Sequence, residues 1–166
     1  MVHAQPSRNG DHGRVLGAES TPAHGVGTDG RCTVIATPPD SSLSSPFSVL
    51  LCDDNVMLLE TLSEVIRAQP DMEVVATACD DEQALRLAGC HQPDLVILDV
   101  RFPGGGHAVA RDIARCSPAS RIVAFSAYDD KGSIDQMTSA GVSEYVLKGM
   151  SNRELLAAMR RAAEPR

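Results

Sequence analysis

Large aromatic side chains are scarce in this chain of 166 residues, which has no tryptophan, three phenylalanines and two tyrosines. Hydrophobic residues still make up 43% of the sequence, so a core is possible, but it must be built mainly from aliphatic side chains. No apolar run approaches the ~20 residues of a membrane-spanning helix. The N-terminus also lacks the basic start and apolar stretch of a signal peptide. We therefore expect a cytoplasmic protein with no membrane contact.

Charge and cysteine content exclude further classes of protein. The net charge is −7, which argues against direct nucleic-acid binding because the phosphate backbone is itself negative. The five cysteines are odd in number and form no Cys-x-x-Cys pair, so neither a disulfide framework nor a zinc site is indicated. Cys52 falls inside a predicted strand and is expected to be a core residue. Only two of the fifteen basic residues are lysines, which makes Lys148 distinctive.

Residues 1–46 differ in composition from the rest of the chain. They are rich in Gly, Ser, Thr, Pro and Asp, and residues 37–46 have the composition of a linker. Such a segment cannot bury enough apolar surface to offset the entropy lost on ordering. The short run 32–36 resembles a strand fragment but has no partner nearby in the sequence. We expect residues 1–46 to be a disordered segment and residues 47–166 to form the folded domain.

Strand and helix patterns alternate five times from Phe47 onward. The predicted strands lie at residues 49–52, 73–78, 94–100, 121–127 and 143–147. Apolar residues at helical spacing fill the segments between and after them. Alternation of this kind indicates βαβ units and a parallel sheet. We expect an α/β fold, a flavodoxin-like doubly wound five-stranded parallel sheet with strand order 2-1-3-4-5, although local pattern alone does not fix that order.

Capping residues mark the starts of three predicted helices. Asn55 is placed to cap the first helix, and either Asp80 or Asp81 the second. Ser151 and Glu154 form the S-x-x-E pattern of a capping box, in which each side chain accepts a backbone N–H of the other residue. These signals predict helices that begin immediately after the first, second and fifth strands.

Five polar side chains end or follow the apolar strands, and they are Asp53, Asp54, Asp99, Ser126 and Lys148. In an open parallel sheet the carboxyl ends of the strands share one rim, where ligands bind. Adjacent carboxylates repel each other unless a cation lies beside them, and Mg²⁺ prefers oxygen ligands. A carboxylate can also attack phosphorus and become an acyl phosphate, with a metal and a lysine balancing the charge. The pattern therefore predicts a Mg²⁺ site beside an acceptor carboxylate.

The same segments resemble a known protein family. Residues 48–163 resemble the receiver domain of two-component response regulators. The matching segments are Ser48-Val49-Leu50-Leu51-Cys52-Asp53-Asp54-Asn55, Pro93-Asp94-Leu95-Val96-Ile97-Leu98-Asp99-Val100-Arg101-Phe102-Pro103, Ser126-Ala127 and Glu144-Tyr145-Val146-Leu147-Lys148. In that order they look like the family's acidic first-strand motif, its acceptor motif, its Ser/Thr-Ala pair and its fifth-strand motif with a switch aromatic.

The resemblance implies a phosphorylation site and a metal site. Asp99 would be the phosphoacceptor. Asp53 and Asp54 would hold Mg²⁺ together with Asp99, and Arg101 would lend its backbone carbonyl to the metal. The cofactor implied is Mg²⁺, and the phosphoryl donor would be a histidine kinase or a phosphotransfer protein.

The resemblance also implies a switch rather than a turnover enzyme. Ser126 and Lys148 would sense the phosphoryl group, and Tyr145 would be the rotamer switch. The changed surface, formed by the fourth helix, fifth strand and fifth helix, would control an unknown downstream protein or a homodimer. The only catalysis expected is that of the domain's own phosphorylation and dephosphorylation.

Some features depart from the common receiver pattern. Gly149 follows Lys148 where many receivers have proline, and Gly104-Gly105-Gly106 makes the loop beside the acceptor unusually permissive. The segment Ser126-Ala127-Tyr128 and the Lys-Gly ending look closest to receivers that carry a helix-turn-helix output domain. The chain ends at Arg166, just past the last predicted helix. A stand-alone receiver is therefore the expectation.

Three other functions are alternatives to a phosphorylated receiver. A flavodoxin would share the fold, but Asp53 and Asp54 would repel the phosphate of FMN. A phosphatase of the haloacid dehalogenase type needs D-x-D at its nucleophile, and Asp99-Val100-Arg101 lacks the second aspartate. A receiver-like docking module that is never phosphorylated stays open, although all five site residues are present.

Overall fold

The structure, a computed structural model, describes residues 45–164 of the chain. Strands and helices alternate through this part of the chain. The strands are β1 (Phe47–Cys52), β2 (Met72–Ala78), β3 (Leu95–Asp99), β4 (Arg121–Ser126) and β5 (Glu144–Leu147). The helices are α1 (Val56–Arg67), α2 (Asp81–His91), α3 (Gly106–Cys116), α4 (Lys131–Ser139) and α5 (Asn152–Ala163). None of the helices within this range combines the length and apolar character needed to cross a bilayer.

The five strands form one parallel sheet in the order β2-β1-β3-β4-β5, which confirms the predicted doubly wound fold. The chain runs from β1 to β2 on one side of β1 and then crosses to β3 on its other side. The direction of winding therefore reverses between β1 and β3. Cys52 of β1 lies opposite Leu98 of β3, and Asp99 lies opposite Phe125 of β4. Ligands of such sheets bind outside the carboxyl ends of the strands at this reversal point. The register therefore brings the residues that follow β1 beside the end of β3.

Two aliphatic cores cover the two faces of the sheet, as the scarcity of aromatic residues requires. Val49 and Leu51 of β1 pack in one core with buried residues of α1 and α5. Leu50 and Cys52 point to the opposite face and pack with α2, α3 and α4. Burying one such aliphatic side chain stabilises the fold by about 1.5–3 kcal/mol. All of β3 is buried, as expected for a central parallel strand covered on both faces.

The predicted capping residues begin their helices as expected. Asn55 accepts a hydrogen bond from Leu58 N at 3.2 Å, and Ser151 with Glu154 completes the capping box of α5. The choice between two aspartates for α2 is settled in favour of Asp80, whose Oδ1 accepts from Gln83 N at 2.8 Å. Since Asn55 directly follows Asp53 and Asp54, its cap fixes where the chain turns from the rim of the sheet into α1.

The glycines between β3 and α3 shape the chain directly after Asp99. Gly104 and Gly105 have φ values of 83° and 86°, a region that side chains disfavour. At Gly106 an added Cβ would lie 2.5 Å from Val100 O and 2.7 Å from Asp99 O, both backbone atoms. The chain must therefore have glycine here to fold back closely behind the end of β3 and enter α3.

Candidate functional site

The five polar residues predicted at the rim meet at the carboxyl end of the sheet. Asp53 follows β1, Asp99 ends β3 and Ser126 ends β4, and these three are only 2%, 5% and 2% exposed. Lys148 follows β5 and is partly buried, whereas Asp54 is exposed. Burial of two carboxylates is costly unless they are paired or bind a cation. Because these carboxylates are buried at the rim of the sheet and not in its core, they indicate a binding site.

Lys148 joins the two buried carboxylates. Its Nζ lies 2.7 Å from Asp53 Oδ2 and 3.0 Å from Asp99 Oδ1. Burial lowers the pKa of the Lys148 ammonium, but hydrogen bonds and negative charges from Asp53 and Asp99 outweigh that effect and raise the pKa above its ordinary value. The backbone N–H of Lys148 also donates to Ser126 O at 2.6 Å. The lysine is therefore charged and fixed at both ends.

Three carboxylates form a group of oxygen donors suited to a hard divalent cation. One carboxylate oxygen from each of Asp53, Asp54 and Asp99 lies within 4.8 Å of the others. Asp53 is oriented from both sides, because its Oδ1 accepts from Asn55 N at 3.0 Å while its Oδ2 accepts from Lys148. Three negative charges against one ammonium leave two uncompensated charges, which matches one divalent cation. The donor set fits Mg²⁺, which takes few protein carboxylates and keeps several waters.

The hydroxyl of Ser126 is bound within the loop that follows β4. Its Oγ accepts a hydrogen bond from Tyr128 N at 3.1 Å. A hydroxyl that accepts still carries its own hydrogen, so Ser126 keeps a donor for a further partner. Ser126 lies one strand away from Asp99, since Leu98 pairs with Ala124 and Asp99 with Phe125. The predicted phosphoryl-sensing residue is thus beside the acceptor strand and already engaged with its own loop.

The predicted switch aromatic, Tyr145, is half-buried and held by a hydrogen bond. Its hydroxyl donates to the backbone O of Tyr128 at 2.8 Å. Its ring packs against the core that β3, α3 and α4 share. The switch residue and Ser126 therefore bind the same residue of the β4–α4 loop, one through its carbonyl and the other through its N–H.

Two side chains at this site make a contact that the sequence did not indicate. The guanidinium carbon of Arg101 lies 4.2 Å from the centre of the Tyr128 ring, a cation–π distance. The resemblance gave Arg101 a role only through its backbone carbonyl and gave Tyr128 none. Both residues stand in quoted motifs, but nothing in the sequence pattern indicates that a residue after β3 stacks on one after β4.

Cys52 has the structural role expected for it. It is 2% exposed at the end of β1. Burial, with smaller contributions from the charges of Asp53 and Cys79, raises the pKa of the Cys52 thiol far above its ordinary value. A thiol that stays protonated is a poor nucleophile and metal ligand. Cys52 is thus a small core residue beneath the carboxylates.

Comparison with protein families decides which class of α/β protein this site belongs to. Residues 49–160 match the model of the response regulator receiver domain. The chain belongs to this receiver family. The match excludes a flavodoxin or a phosphatase as the class of this domain, and it confirms the resemblance found in the sequence motifs.

Curated relatives of this receiver are regulators rather than turnover enzymes. The nitrate/nitrite response regulator NarL of Escherichia coli K12 is 34% identical over 123 residues, which cover 74% of this chain and 57% of NarL. The oxygen regulatory protein NreC of Staphylococcus epidermidis is 32% identical over 114 residues, covering 68% of this chain and 52% of NreC. The chain therefore spans about half the length of the curated relatives it matches.

Solved structures show the same receiver fold. The signal receiver domain of NarL from Mycobacterium tuberculosis is 27% identical, with a TM-score of 0.70, and the match covers 74% of this chain and all of that one. A LuxR-family response regulator from Aurantimonas sp. SI85-9A1 is 32% identical with a TM-score of 0.68, covering 72% of this chain and 86% of that one. These likenesses confirm the fold, while the roles of the individual site residues stay predictions.

Proposed function

We propose that this receiver accepts a phosphoryl group on Asp99, with Mg²⁺ bound by Asp53, Asp54 and Asp99. The observation that carries the proposal is the ammonium of Lys148, which lies within 3.0 Å of both Asp53 and Asp99 at the rim of the sheet. A structural ion pair needs only one carboxylate for one lysine. Here two acidic side chains bind a single ammonium and a third, Asp54, lies within 4.8 Å of them, which suits a site built to hold a cation and a phosphoryl group.

Asp99 is the proposed nucleophile because its two oxygens have different surroundings. Oδ1 is bound by Lys148 at 3.0 Å, which leaves Oδ2 for attack on phosphorus. In the transfer, a bond forms between a carboxylate oxygen and phosphorus as the bond from phosphorus to the donor's imidazole nitrogen breaks. Bound Mg²⁺ supplies charge neutralisation for the phosphoryl oxygens. Lys148 balances the remaining negative charge, and Ser126 donates its hydroxyl hydrogen to a phosphoryl oxygen.

We propose a histidine kinase or phosphotransfer protein as the phosphoryl donor, and a docking surface for it at the mouth of the site. Val56 and Met57 begin α1 one residue after the acidic pair and are 54% and 78% exposed. Met150, 44% exposed, follows Lys148 at the other end of the site. Contiguous exposed apolar patches mark interaction surfaces, and Val56 and Met57 are adjacent in the chain. A donor that packs on them would bring its phosphohistidine towards Asp99.

The proposed output is a change of surface on α4, β5 and α5. Phosphorylation of Asp99 would draw Ser126 towards the phosphoryl group and alter the loop that holds Tyr145. Ser126 and Tyr145 lie on the two paired strands that α4 connects. We therefore expect the conformational equilibrium of α4 to shift. The surface acts on a downstream protein region or on a second copy of the chain. Direct nucleic-acid binding is not expected of this domain, given the chain's net charge of −7. We propose that the protein acts in the cytoplasm.

The alternative function is a docking module that is never phosphorylated. The full chain should be incubated with a small acyl-phosphate donor, with Mg²⁺ or with excess chelator, and its intact mass should be measured. We expect one phosphoryl group to be added only when Mg²⁺ is present. An Asp135→Asn variant, altered at an exposed aspartate on α4, should be labelled like the wild type. No labelling under either condition would support the docking module.

A further inference from the structure

Two loops that leave neighbouring strands are joined by a single side-chain contact. Arg101 lies in the turn after β3, two residues beyond Asp99, and its guanidinium carbon is 4.2 Å from the centre of the Tyr128 ring. Tyr128 lies in the loop between β4 and α4. Guanidinium groups stack favourably on aromatic faces through cation–π attraction. The contact therefore links the acceptor's own turn to the adjacent loop by a route other than Ser126.

The backbone of Tyr128 is engaged on both sides. Its N–H donates to Ser126 Oγ at 3.1 Å, and its carbonyl accepts from the Tyr145 hydroxyl at 2.8 Å. Both hydrogen bonds have the right geometry only while the Tyr128 backbone keeps its position. A force that fixes the Tyr128 ring thus also fixes the partners of the two predicted switch residues.

The end of this loop is held by the N-cap of α4, where Asp130 Oδ1 accepts from Ser133 N at 2.9 Å, but the side chains of the loop are little buried. Residues 127–130 are all exposed, and the Tyr128 ring itself is 51% exposed. Segments with few buried apolar contacts open locally at low free-energy cost. Among the described residues, the stack with Arg101 is the one cation–π contact of the Tyr128 ring. Loss of the stack should therefore change the position of this loop more than loss of a similar contact would change a well-packed helix.

We propose that Arg101 is a positioning residue whose guanidinium holds Tyr128, and through it the hydrogen bonds of Ser126 and Tyr145, before any phosphoryl group is present. This role belongs to the Arg101 side chain and is separate from the metal role predicted for its backbone carbonyl. The positioning is a property of the unmodified protein. Its consequence for signalling rests on the proposed function, because only then does a change at Asp99 reach Tyr145 through Arg101 as well as through Ser126.

The chain contains two tyrosines, so its tyrosine signals can be read individually. The full chain should be produced with 3-fluorotyrosine and studied by ¹⁹F NMR without metal or phosphodonor. Tyr128→Phe and Tyr128→Leu both leave Tyr145 as the single labelled residue. The first keeps a ring for the guanidinium to stack on, and the second removes it. Both keep the backbone N–H and carbonyl of residue 128.

We expect Tyr145 to become more accessible whenever the stack is lost. Broadening of the Tyr145 signal by a water-soluble paramagnetic agent should be roughly two- to fivefold greater in Tyr128→Leu than in Tyr128→Phe, a factor that corresponds to the free energy of an exposed cation–π contact. Adding Arg101→Ala to Tyr128→Phe should give the same rise, and adding it to Tyr128→Leu should give no more. Arg111→Ala, at an exposed arginine of α3, is the matched control and should leave the Tyr145 signal unchanged.

The proposal is overturned if Arg101→Ala leaves the accessibility of Tyr145 unchanged in the Tyr128→Phe background. It is also overturned if the two substitutions act additively, since independent effects would mean that no stack transmits them. Failure of the proposed function would be seen separately, as absence of Mg²⁺-dependent labelling in the wild type. Because the NMR measurement uses unmodified protein, that failure would not change its result.

Discussion

Nζ of Lys148 lies 3.0 Å from Oδ1 of Asp99, a contact between the residue after the fifth strand and the last residue of the third. The same ammonium is 2.7 Å from Asp53 Oδ2, so one lysine compensates two buried carboxylates. The sheet order places these three strand ends along a short stretch of the rim. Removal of the lysine would leave both carboxylates buried without their shared partner.

Lys148→Met should therefore destabilise the metal-free protein at neutral pH. Leaving a buried acceptor unsatisfied costs about 1–3 kcal/mol, and more when the acceptor is charged, so urea unfolding should show a loss of at least that size. Addition of Mg²⁺ should recover part of it, because a cation can replace the ammonium. Lys131→Met alters the chain's other lysine, at the exposed start of α4, and should leave stability nearly unchanged. Equal stability of Lys148→Met and wild type would show that the ion pairs contribute nothing.

The pH dependence of this stabilisation follows from the raised pKa of Lys148. A lysine whose pKa is higher in the folded state stabilises the protein fully below its unfolded pKa. The stabilisation is lost as the pH rises through the folded value. The difference in unfolding free energy between wild type and Lys148→Met should thus be constant near neutrality and shrink above the ordinary lysine value of 10.5. A difference that grows with alkaline pH would contradict the assignment.

Asp54→Ala should weaken Mg²⁺ binding, because the affinity of such a site depends on its number of carboxylates. It should also raise the stability of the metal-free protein by up to about 0.5 kcal/mol, since one negative charge leaves the cluster. Titration calorimetry and thermal unfolding measure the two effects. Asp129→Ala, at an exposed aspartate outside the cluster, serves as the control. Unchanged Mg²⁺ affinity in Asp54→Ala would mean that the acidic pair is not the metal site.

Gly106→Ala should destabilise the domain and disturb the acceptor turn. Its Cβ would lie 2.5 Å from Val100 O and 2.7 Å from Asp99 O, and backbone atoms cannot move aside cheaply. Overpacking of this kind costs about 1–3 kcal/mol. Gly89→Ala is the contrasting variant, because its Cβ meets nothing within 4 Å in α2. That substitution should stabilise by about 0.5–1 kcal/mol. Similar melting temperatures for the two variants would show that the turn tolerates a Cβ at residue 106.

Deletion of residues 1–46 should leave the domain folded and able to be phosphorylated. Residues 1–44 lie outside the described part of the chain, and the first strand begins at Phe47, whose N–H donates to Asp71 O at 3.0 Å. We expect a change in unfolding free energy of no more than about 0.5 kcal/mol. Limited proteolysis should yield a core that starts near Phe47. A large drop in melting temperature, or slow hydrogen exchange at residues 32–36, would mean that the folded domain begins before residue 47.

The sequence predicted the elements and the five rim residues because each depends on local pattern. Strands such as β3 are uninterrupted apolar runs, and a polar residue at the end of such a run stands at the rim of the sheet. The order of the strands depends on contacts between distant segments, so it came from likeness to a fold rather than from pattern. The stack of Arg101 on Tyr128 is also a contact between distant loops. Neither residue type indicates it alone, and only the structure shows it.

The central claim is that Asp99 is the phosphoacceptor. Its most direct test is the intact mass of wild type and Asp99→Asn after incubation with a small acyl-phosphate donor and Mg²⁺, followed by treatment with hydroxylamine. The account predicts that the wild type gains one phosphoryl group, which hydroxylamine removes because it is held as an acyl phosphate, and that Asp99→Asn gains none. Full labelling of Asp99→Asn, or a label on the wild type that resists hydroxylamine, would contradict it.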